Sequence, residues 1–197
     1  SGSMDTMESG PNGALYRLDP DFSVTKLDDG IIVSNGPCWS PDGKTIAYTS
    51  EHESQGDLYA VDVATGETVP LAKTAANEMT PQFSPDGKYL AYASDDGGTF
   101  NVWVMELDGG NAQRVTNVPC GADSPTWGAD GELAFSVYRH GEFHIWKTRL
   151  ALEASEWRPV PSGAPGGDYE GLFVKPAEKF EIGPLSDRWH FDFLLPL

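Results

Sequence analysis

The fold of this chain is decided by PCWSPDG at residues 37–43, which recurs as PQFSPDG at residues 81–87 and as PTWGADG at residues 125–131, 44 residues apart each time. Each copy joins a short strand to a tight turn that ends in Asp-Gly. A repeat of this length, with a strand and a turn at the same point of every copy, is typical of stacked four-stranded blades. The sequence therefore predicts a β-propeller.

A second marker of the repeat is a pair of adjacent residues in the third strand of each blade, in most copies hydrophobic and then aromatic. The pairs are Leu15-Tyr16, Leu58-Tyr59, Val102-Trp103, Ile145-Trp146 and Arg188-Trp189, in steps of 43 or 44 residues. Inner strands begin near Pro37, Pro81, Pro125 and Gly171, so five third strands accompany only four inner strands. We expect an all-β β-propeller of about five four-stranded blades, with incomplete first and last blades.

We expect residues 13–197 to form this single propeller domain. Residues 1–12 hold Ser1-Gly2-Ser3 before Met4, which is typical of a cloning remnant, and one partial strand at residues 4–8. The outermost strand of the third blade is predicted at residues 156–160, beside the strand at residues 143–150. Incomplete blades leave open sheet edges, so we expect self-association through them, unless residues 191–197 double back and close the ring.

The charge of the chain excludes several classes of partner. Thirteen Lys and Arg residues stand against thirty Asp and Glu residues, for a net charge of −17. Such a surface repels the phosphates of nucleic acid and of anionic membranes, and no apolar run is long enough to span a bilayer. The compartment, periplasmic or cytoplasmic, stays open. Cys38 and Cys120 belong to blades that are not neighbours, so we expect two free thiols.

Two family resemblances follow from these residues. Residues 13–50, including GALYRLD at 13–19 and IVSNGPCWSPDG at 32–43, resemble the gluconolactonase/regucalcin (senescence marker protein) family of six-bladed, metal-dependent lactonases. Residues 37–150 resemble TolB-type propeller repeats, through the W/F-S-P-D-G-K turn and the I-A-Y or L-A-Y strand that follows it. Both resemblances imply a β-propeller, but they imply different activities.

The lactonase resemblance implies a divalent cation on the propeller axis. Asn35 falls on the family's metal-binding asparagine, and the same register, before each inner strand, holds Met79, Asp123 and Glu170. Asn35, Asp123 and Glu170 are the expected metal ligands, and oxygen ligands of this kind favour Ca²⁺, Mg²⁺ or Mn²⁺. Asp123 would then be the catalytic base that activates water. The thioether of Met79 departs from the family's pattern.

Three interpretations of function remain open. The first is a non-catalytic TolB-like binding module that offers its loop face to a protein or peptide ligand. The second is the metal-dependent sugar-lactone hydrolase. The third is an engineered chimera or truncated propeller, because one chain carries both resemblances. Two further patterns are interpreted as structural: His140 and His144 lie on a hairpin and do not form a metal site, and residues 95–98, DDGG, form a hairpin turn.

Overall fold

The computed structural model describes residues 13–52, 55–108, 110–150 and 157–160. Fourteen β-strands and no helix occur in these residues. The strands are β1 (Gly13–Leu18), β2 (Val24–Ile31), β3 (Val33–Trp39), β4 (Thr45–His52), β5 (Gln55–Asp62), β6 (Thr68–Ala72), β7 (Glu78–Phe83), β8 (Tyr89–Ser94), β9 (Asn101–Glu106), β10 (Asn111–Arg114), β11 (Ala122–Trp127), β12 (Glu132–Arg139), β13 (Glu142–Arg149) and β14 (Arg158–Pro159).

These strands form four antiparallel sheets in the order of the chain. The first sheet is β1–β2, blade I is β3–β6, blade II is β7–β10 with β14 added outside β10, and blade III is β11–β13. Strand β12 alternates buried and more exposed residues, whereas β8 and β9 are buried along nearly their whole length because they lie between two blades. Turns that end in Asp-Gly connect each inner strand to the next strand. The all-β β-propeller fold is confirmed. The fifth predicted blade and the strand predicted at residues 4–8 lie outside the described residues.

Hydrophobic layers lie between successive sheets. Leu15, Ile31 and Tyr48 belong to the layer between the first sheet and blade I. A second cluster, which includes Leu58 and Tyr92, lies between blades I and II, and a third, which includes Val104 and Phe135, lies between blades II and III. Tyr48, Tyr92, Trp103 and Phe135, which recur at the blade spacing, are buried in these layers, whereas Tyr16 of the first sheet is exposed.

Polar contacts add to these layers. Nη1 of Arg17 in the first sheet donates a hydrogen bond to the carbonyl oxygen of Val63, 2.6 Å away, and the Tyr48 hydroxyl donates to the Asp28 carboxylate. Nε1 of Trp127 donates to the carbonyl oxygen of Gln82 at 3.1 Å, which joins the inner strands of blades II and III. Because contacts of this kind are directional, they set the orientation of neighbouring sheets as well as their spacing.

The outermost strand predicted for the third blade is wrong in its partner. Residues 156–160 were expected beside residues 143–150, but β14 pairs with β10 of blade II through Asn111↔Pro159 and Ala112↔Arg158. The ring of Trp157, just before β14, stacks on Tyr89 of blade II, with ring centroids 6.0 Å apart. Burial of this aromatic residue between blades II and III draws the strand to the neighbouring blade. β13 is the outermost strand of blade III in the described residues.

Candidate functional site

The predicted site positions lie at the start of the inner strands, where all three described inner strands have the same irregularity. Each strand has a register shift relative to its neighbour, between Asn35 and Cys38, between Met79 and Gln82, and between Asp123 and Thr126. The residue before each proline has a left-handed backbone: Gly36 with φ 59°, Thr80 with φ 53° and Ser124 with φ 53°. These are β-bulges, which bend a strand and redirect its side chains.

The bulges explain why the inner strands begin earlier than predicted. The repeat predicts strands from Pro37, Pro81 and Pro125, because proline cannot donate to a sheet ladder. The bulge leaves the proline out of the hydrogen-bonded ladder, and pairing continues at the residues that precede the proline. The strands β3, β7 and β11 therefore begin at Val33, Glu78 and Ala122. The residues two before each proline are consequently part of the sheet and not of a loop.

Neighbouring bulges are in contact across the blades. An ideal Cβ on Gly36 would lie 3.3 Å from the Cα of Thr80, and the Thr80 hydroxyl donates a hydrogen bond to Oδ1 of Asp123 at 3.1 Å. We call residues 35–36, 79–80 and 123–124 the mouth row. Asn35 and Asp123 lie at its two ends, with Thr80 between them. These contacts bring the three bulges side by side, while the meeting of Asn35, Asp123 and Glu170 stays a prediction.

The two polar ends of the mouth row differ in exposure. Asn35 is exposed and pairs with Thr49 in β4, whereas Asp123 is half-buried. Oδ1 of Asp123 accepts from the Thr80 hydroxyl and from the backbone N–H of Ser124, and the Asp123 carbonyl oxygen accepts from the Ser136 hydroxyl at 3.0 Å. Such donors orient a carboxylate before any ligand arrives. The row therefore presents an exposed amide and a fixed carboxylate.

The predicted metal site cannot be assembled from the described residues, because Glu170 lies outside them. Within residues 13–52, 55–108, 110–150 and 157–160, no three His, Cys, Asp or Glu side chains are grouped closely enough to hold a metal ion. Asn35 and Asp123 offer oxygen donors of the type that Ca²⁺, Mg²⁺ and Mn²⁺ prefer. The ligand set of Asn35, Asp123 and Glu170 stays a prediction.

A buried glutamate beside the mouth row was missed by the sequence reasoning. Glu78, one residue before Met79, is only 1% exposed. Its Oε1 accepts a hydrogen bond from the Thr74 hydroxyl, whereas its Oε2 has no hydrogen-bond partner in the described residues. Burial first, and then the nearby charges of Asp57 and Asp95, raise the pKa of Glu78 to about 7 against the lowering effect of Thr74.

The interface of blades I and II is polar around Glu78, whereas the equivalent position one repeat later is apolar. Thr49 is buried, its Oγ1 has no partner in the described part of the chain, and an ideal Cβ on Gly56 would lie 3.2 Å from Thr49 Cγ2 and 3.3 Å from the Glu78 carbonyl oxygen. One repeat later, Thr49 and Glu78 correspond to Ala93 and Ala122, both buried. The available signal was this difference between repeats, since a glutamate stands where the next copy has alanine.

The loop before β7 is pinned to both neighbouring blades. Nε2 of Gln55 in blade I donates to the carbonyl oxygens of Thr74 and Ala76, the latter at 2.8 Å. The backbone N–H and Nδ2 of Asn77 donate to the two carboxylate oxygens of Asp95 at 2.7 and 2.8 Å. These bonds hold the loop and the mouth row in one arrangement, which reduces the entropy that a ligand must overcome.

The thiols and the two hairpin turns can be compared directly with the sequence expectations. Cys38 and Cys120 are free thiols, the first buried and the second exposed. The N–H of Gly98 donates to the Asp95 carbonyl oxygen at 2.7 Å, which closes the expected hairpin turn. His140 occupies the turn between β12 and β13, and His144 lies within β13. No helix suited to crossing a membrane was found in the described residues.

Comparison with known proteins agrees with this architecture. The family model described as PD40, TolB beta propeller domain, matches residues 20–164. Regucalcin of Gallus gallus is 42% identical over 55 residues, which is 28% of this chain and 18% of regucalcin, so the chain spans under a fifth of this curated relative.

Solved structures give the same result for the fold. The putative TolB from Agrobacterium tumefaciens has a TM-score of 0.64 at 21% identity, over 76% of this chain and 56% of that one. TolB from Acinetobacter baumannii has a TM-score of 0.62 at 21% identity, over 71% of this chain and 36% of that one. At 21% sequence identity, this structural similarity shows a shared fold alone.

Proposed function

Since the chain belongs to the TolB β-propeller domain family, we propose that it is a non-catalytic binding module, and that its mouth row and adjoining loops bind a basic protein or peptide segment. The observation that carries this proposal is the preorganised row itself. Asn35 is exposed, the Asp123 carboxylate is held by two donors, and the adjoining loop is pinned by Gln55 and Asn77. A rigid polar surface of this kind favours recognition of a ligand with complementary groups.

The charge of the row favours a basic ligand. Asp57 and Asp95, whose charges act on Glu78 beside the row, add to the negative potential near the row, in a chain with a net charge of −17. A peptide with Lys or Arg residues gains from this potential during encounter and in the complex.

Binding of matched peptides tests this proposal. Lysine-containing and glutamate-containing versions of one peptide would be measured against wild type, Asp123→Asn and Asp42→Asn. Asp42 is exposed in the turn after β3, at the opposite end of the blade, so its substitution removes the same charge elsewhere. We expect preference for the lysine peptide and a loss of at least about fivefold in affinity with Asp123→Asn only. Equal losses in both variants, or no preference between the peptides, would contradict the proposal.

A second candidate function is hydrolysis of a sugar lactone with a divalent cation. The observation that favours it is the 42% identity to regucalcin, together with the placement of Asn35 and Asp123 on one row. Asn35, Asp123 and Glu170 would hold Ca²⁺, Mg²⁺ or Mn²⁺, which would supply a Lewis acid for the lactone carbonyl. Asp123 would accept a proton from the attacking water.

Calorimetric titration separates the two candidates. Ca²⁺ and Mn²⁺ would be titrated into wild type, Asn35→Ala and the Asp42→Asn control, and turnover of a sugar lactone would be followed with the same proteins. Heat and turnover that disappear in Asn35→Ala and persist in Asp42→Asn would establish the hydrolase. No heat and no turnover in wild type would eliminate it.

A second copy of the chain is proposed as a further partner, because the terminal sheets expose apolar side chains. The described residues include nine large hydrophobic side chains that are exposed, and seven of them lie on the first sheet, its turn, or strands β12 and β13: Tyr16, Leu18, Phe22, Val24, Tyr138, Phe143 and Ile145. Burial of such side chains drives association. A monomeric mass in light scattering at high concentration would count against self-association through these sheets.

A further inference from the structure

The outer edge of blade II carries an added strand from the C-terminal part of the described chain. We call residues 157–160 the strap. The surface on which the strap lies is called the edge groove, and it consists of the edge of β10, the Tyr89 ring and the Gly110 carbonyl. Blade I has four strands, whereas the strap adds a fifth strand to blade II. An extended segment that adds to the edge of a sheet is a common mode of peptide recognition.

Ring stacking and backbone hydrogen bonding hold the strap in the edge groove. The indole ring of Trp157 stacks on the Tyr89 ring, with 6.0 Å between the centroids and 10° between the planes. The backbone pairs through Asn111↔Pro159 and Ala112↔Arg158, and the N–H of Val160 donates to the Gly110 carbonyl oxygen at 2.8 Å. An aromatic anchor and backbone pairing are the two elements that peptide grooves on sheet edges use.

The strap uses only part of the edge groove. The pairing covers two residues of the four-residue strand β10, and Pro159 has no N–H to donate. Oε1 of Gln113, the next residue of β10, is buried and has no hydrogen-bond partner in the described residues. A contact this short has a low local stability, so it can open while the blades stay folded.

The chemistry of the strap indicates which ligand fits. Its sequence is Trp157-Arg158-Pro159-Val160, an aromatic residue followed by a cation, a proline and an apolar residue. Val160 packs against the cluster between blades I and II, and Trp157 packs against the cluster between blades II and III. A cationic segment also suits a chain with a net charge of −17.

We propose that the edge groove binds an extended peptide segment of a partner protein, with an aromatic residue followed by a basic residue and proline, and that the strap occupies this groove as an intramolecular competitor. The partner segment then binds only when the strap leaves. This surface is separate from the mouth row, so the proposal does not depend on the binding function proposed for that row.

Peptide binding to the full chain tests the proposal. The probe is a fluorescein-labelled peptide with the sequence of residues 155–162, SEWRPVPS, measured by fluorescence anisotropy. Trp157→Ala removes the anchor of the strap, so this variant should bind the probe at least about tenfold more tightly than wild type, because the intramolecular competitor is weakened. Asp42→Asn, an exposed position outside both surfaces, should leave this binding unchanged. No binding of the probe by folded Trp157→Ala would overturn the proposal.

A reversible cross-link provides the matched control. Asn111 and Pro159 lie directly opposite each other in the pairing, and such residues have Cα atoms about 4.5 to 5.5 Å apart, within the reach of a disulfide. The variant Asn111→Cys/Pro159→Cys with Cys120→Ser should not bind the probe when oxidised and should bind it after reduction. Equal binding by the oxidised and reduced forms would overturn the proposal, as would a dimer of the reduced variant that oxidation abolishes, because the ligand would then be a second copy.

Hydrogen exchange in wild type tests the opening of the strap without any substitution, should Trp157→Ala fail to fold. We expect the Val160 amide, bonded to the Gly110 carbonyl, to exchange at least about a hundredfold faster than the amides of β8 and β9. Equal protection of these amides would mean that the strap opens only when the whole domain unfolds. That result would overturn the proposal.

Discussion

Glu78 should make the stability of this protein depend on pH in a range where most carboxylates do not titrate. Its ordinary pKa of 4.5 is raised to about 7 in the folded state, first by burial and then by the charges of Asp57 and Asp95. Between these two values the folded protein holds a proton that the unfolded chain has released. The free energy of unfolding therefore decreases as pH rises through this range and levels off above the folded pKa.

The size of the effect follows from the shift in pKa. One pKa unit corresponds to about 1.4 kcal/mol, so the ionisation of Glu78 lowers the free energy of unfolding by roughly 2 to 3 kcal/mol between pH 5 and pH 8. This is a large part of the stability of an ordinary domain, which is about 5 to 15 kcal/mol. In the Glu78→Gln variant the side chain at this position does not ionise, so the variant should lack this contribution to the pH dependence of unfolding.

Urea unfolding at several pH values between 5 and 8 measures the difference between wild type and Glu78→Gln. Subtraction of the two curves removes the contribution of the histidines. Asp42→Asn is the control, because the Ser40 hydroxyl and then the backbone N–H of Lys44 lower the Asp42 pKa, which places its titration below this range. Parallel curves for wild type and Glu78→Gln would refute the reasoning, since they would show that Glu78 carries the same charge in the folded and unfolded states.

Two other predictions concern the bulges and the thiols. Ser124→Gly should raise the free energy of unfolding by about 1 kcal/mol in urea, because Ser124 has a left-handed backbone with φ 53°. Gly36→Ala should lower it by about 1 to 2 kcal/mol, because the added Cβ would lie 3.3 Å from the Cα of Thr80; effects of the opposite sign would contradict the geometry. Iodoacetamide should modify Cys120 quickly and Cys38 only after unfolding, because burial raises the pKa of Cys38 to about 11 and limits its access. Mass spectrometry would measure the time course of modification. Rapid modification of both thiols in the native protein would contradict this expectation.

Much of the fold was predictable because propeller blades are local. The strands of a blade follow each other along the chain, so the 44-residue repeat of the Pro-Asp-Gly turn and the alternation of apolar residues were enough to predict blades I and II. The register also placed Asn35, Met79 and Asp123 at one level. In the structure Gly36 and Asp123 both lie against Thr80, so the bulges of neighbouring blades are adjacent, and the ligand role of these positions stays a prediction.

The bulges were not predictable from the repeat alone. A left-handed backbone at Gly36 is compatible with its residue type, but the same conformation at Thr80 and Ser124 is not what those residues prefer. The contacts between neighbouring blades impose it. For the same reason the inner strands begin before their prolines.

Sequence alone determined the features of this protein that depend on neighbours along the chain, namely the strands, the turns, the blade repeat and the level of the mouth row. Tertiary structure decided the features that depend on neighbours in space. The raised pKa of Glu78 arises from burial between two blades, and β14 joins blade II because Trp157 stacks on Tyr89, 68 residues earlier in the chain. Burial and packing between blades are not encoded in local periodicity, and they govern both sites proposed for this chain.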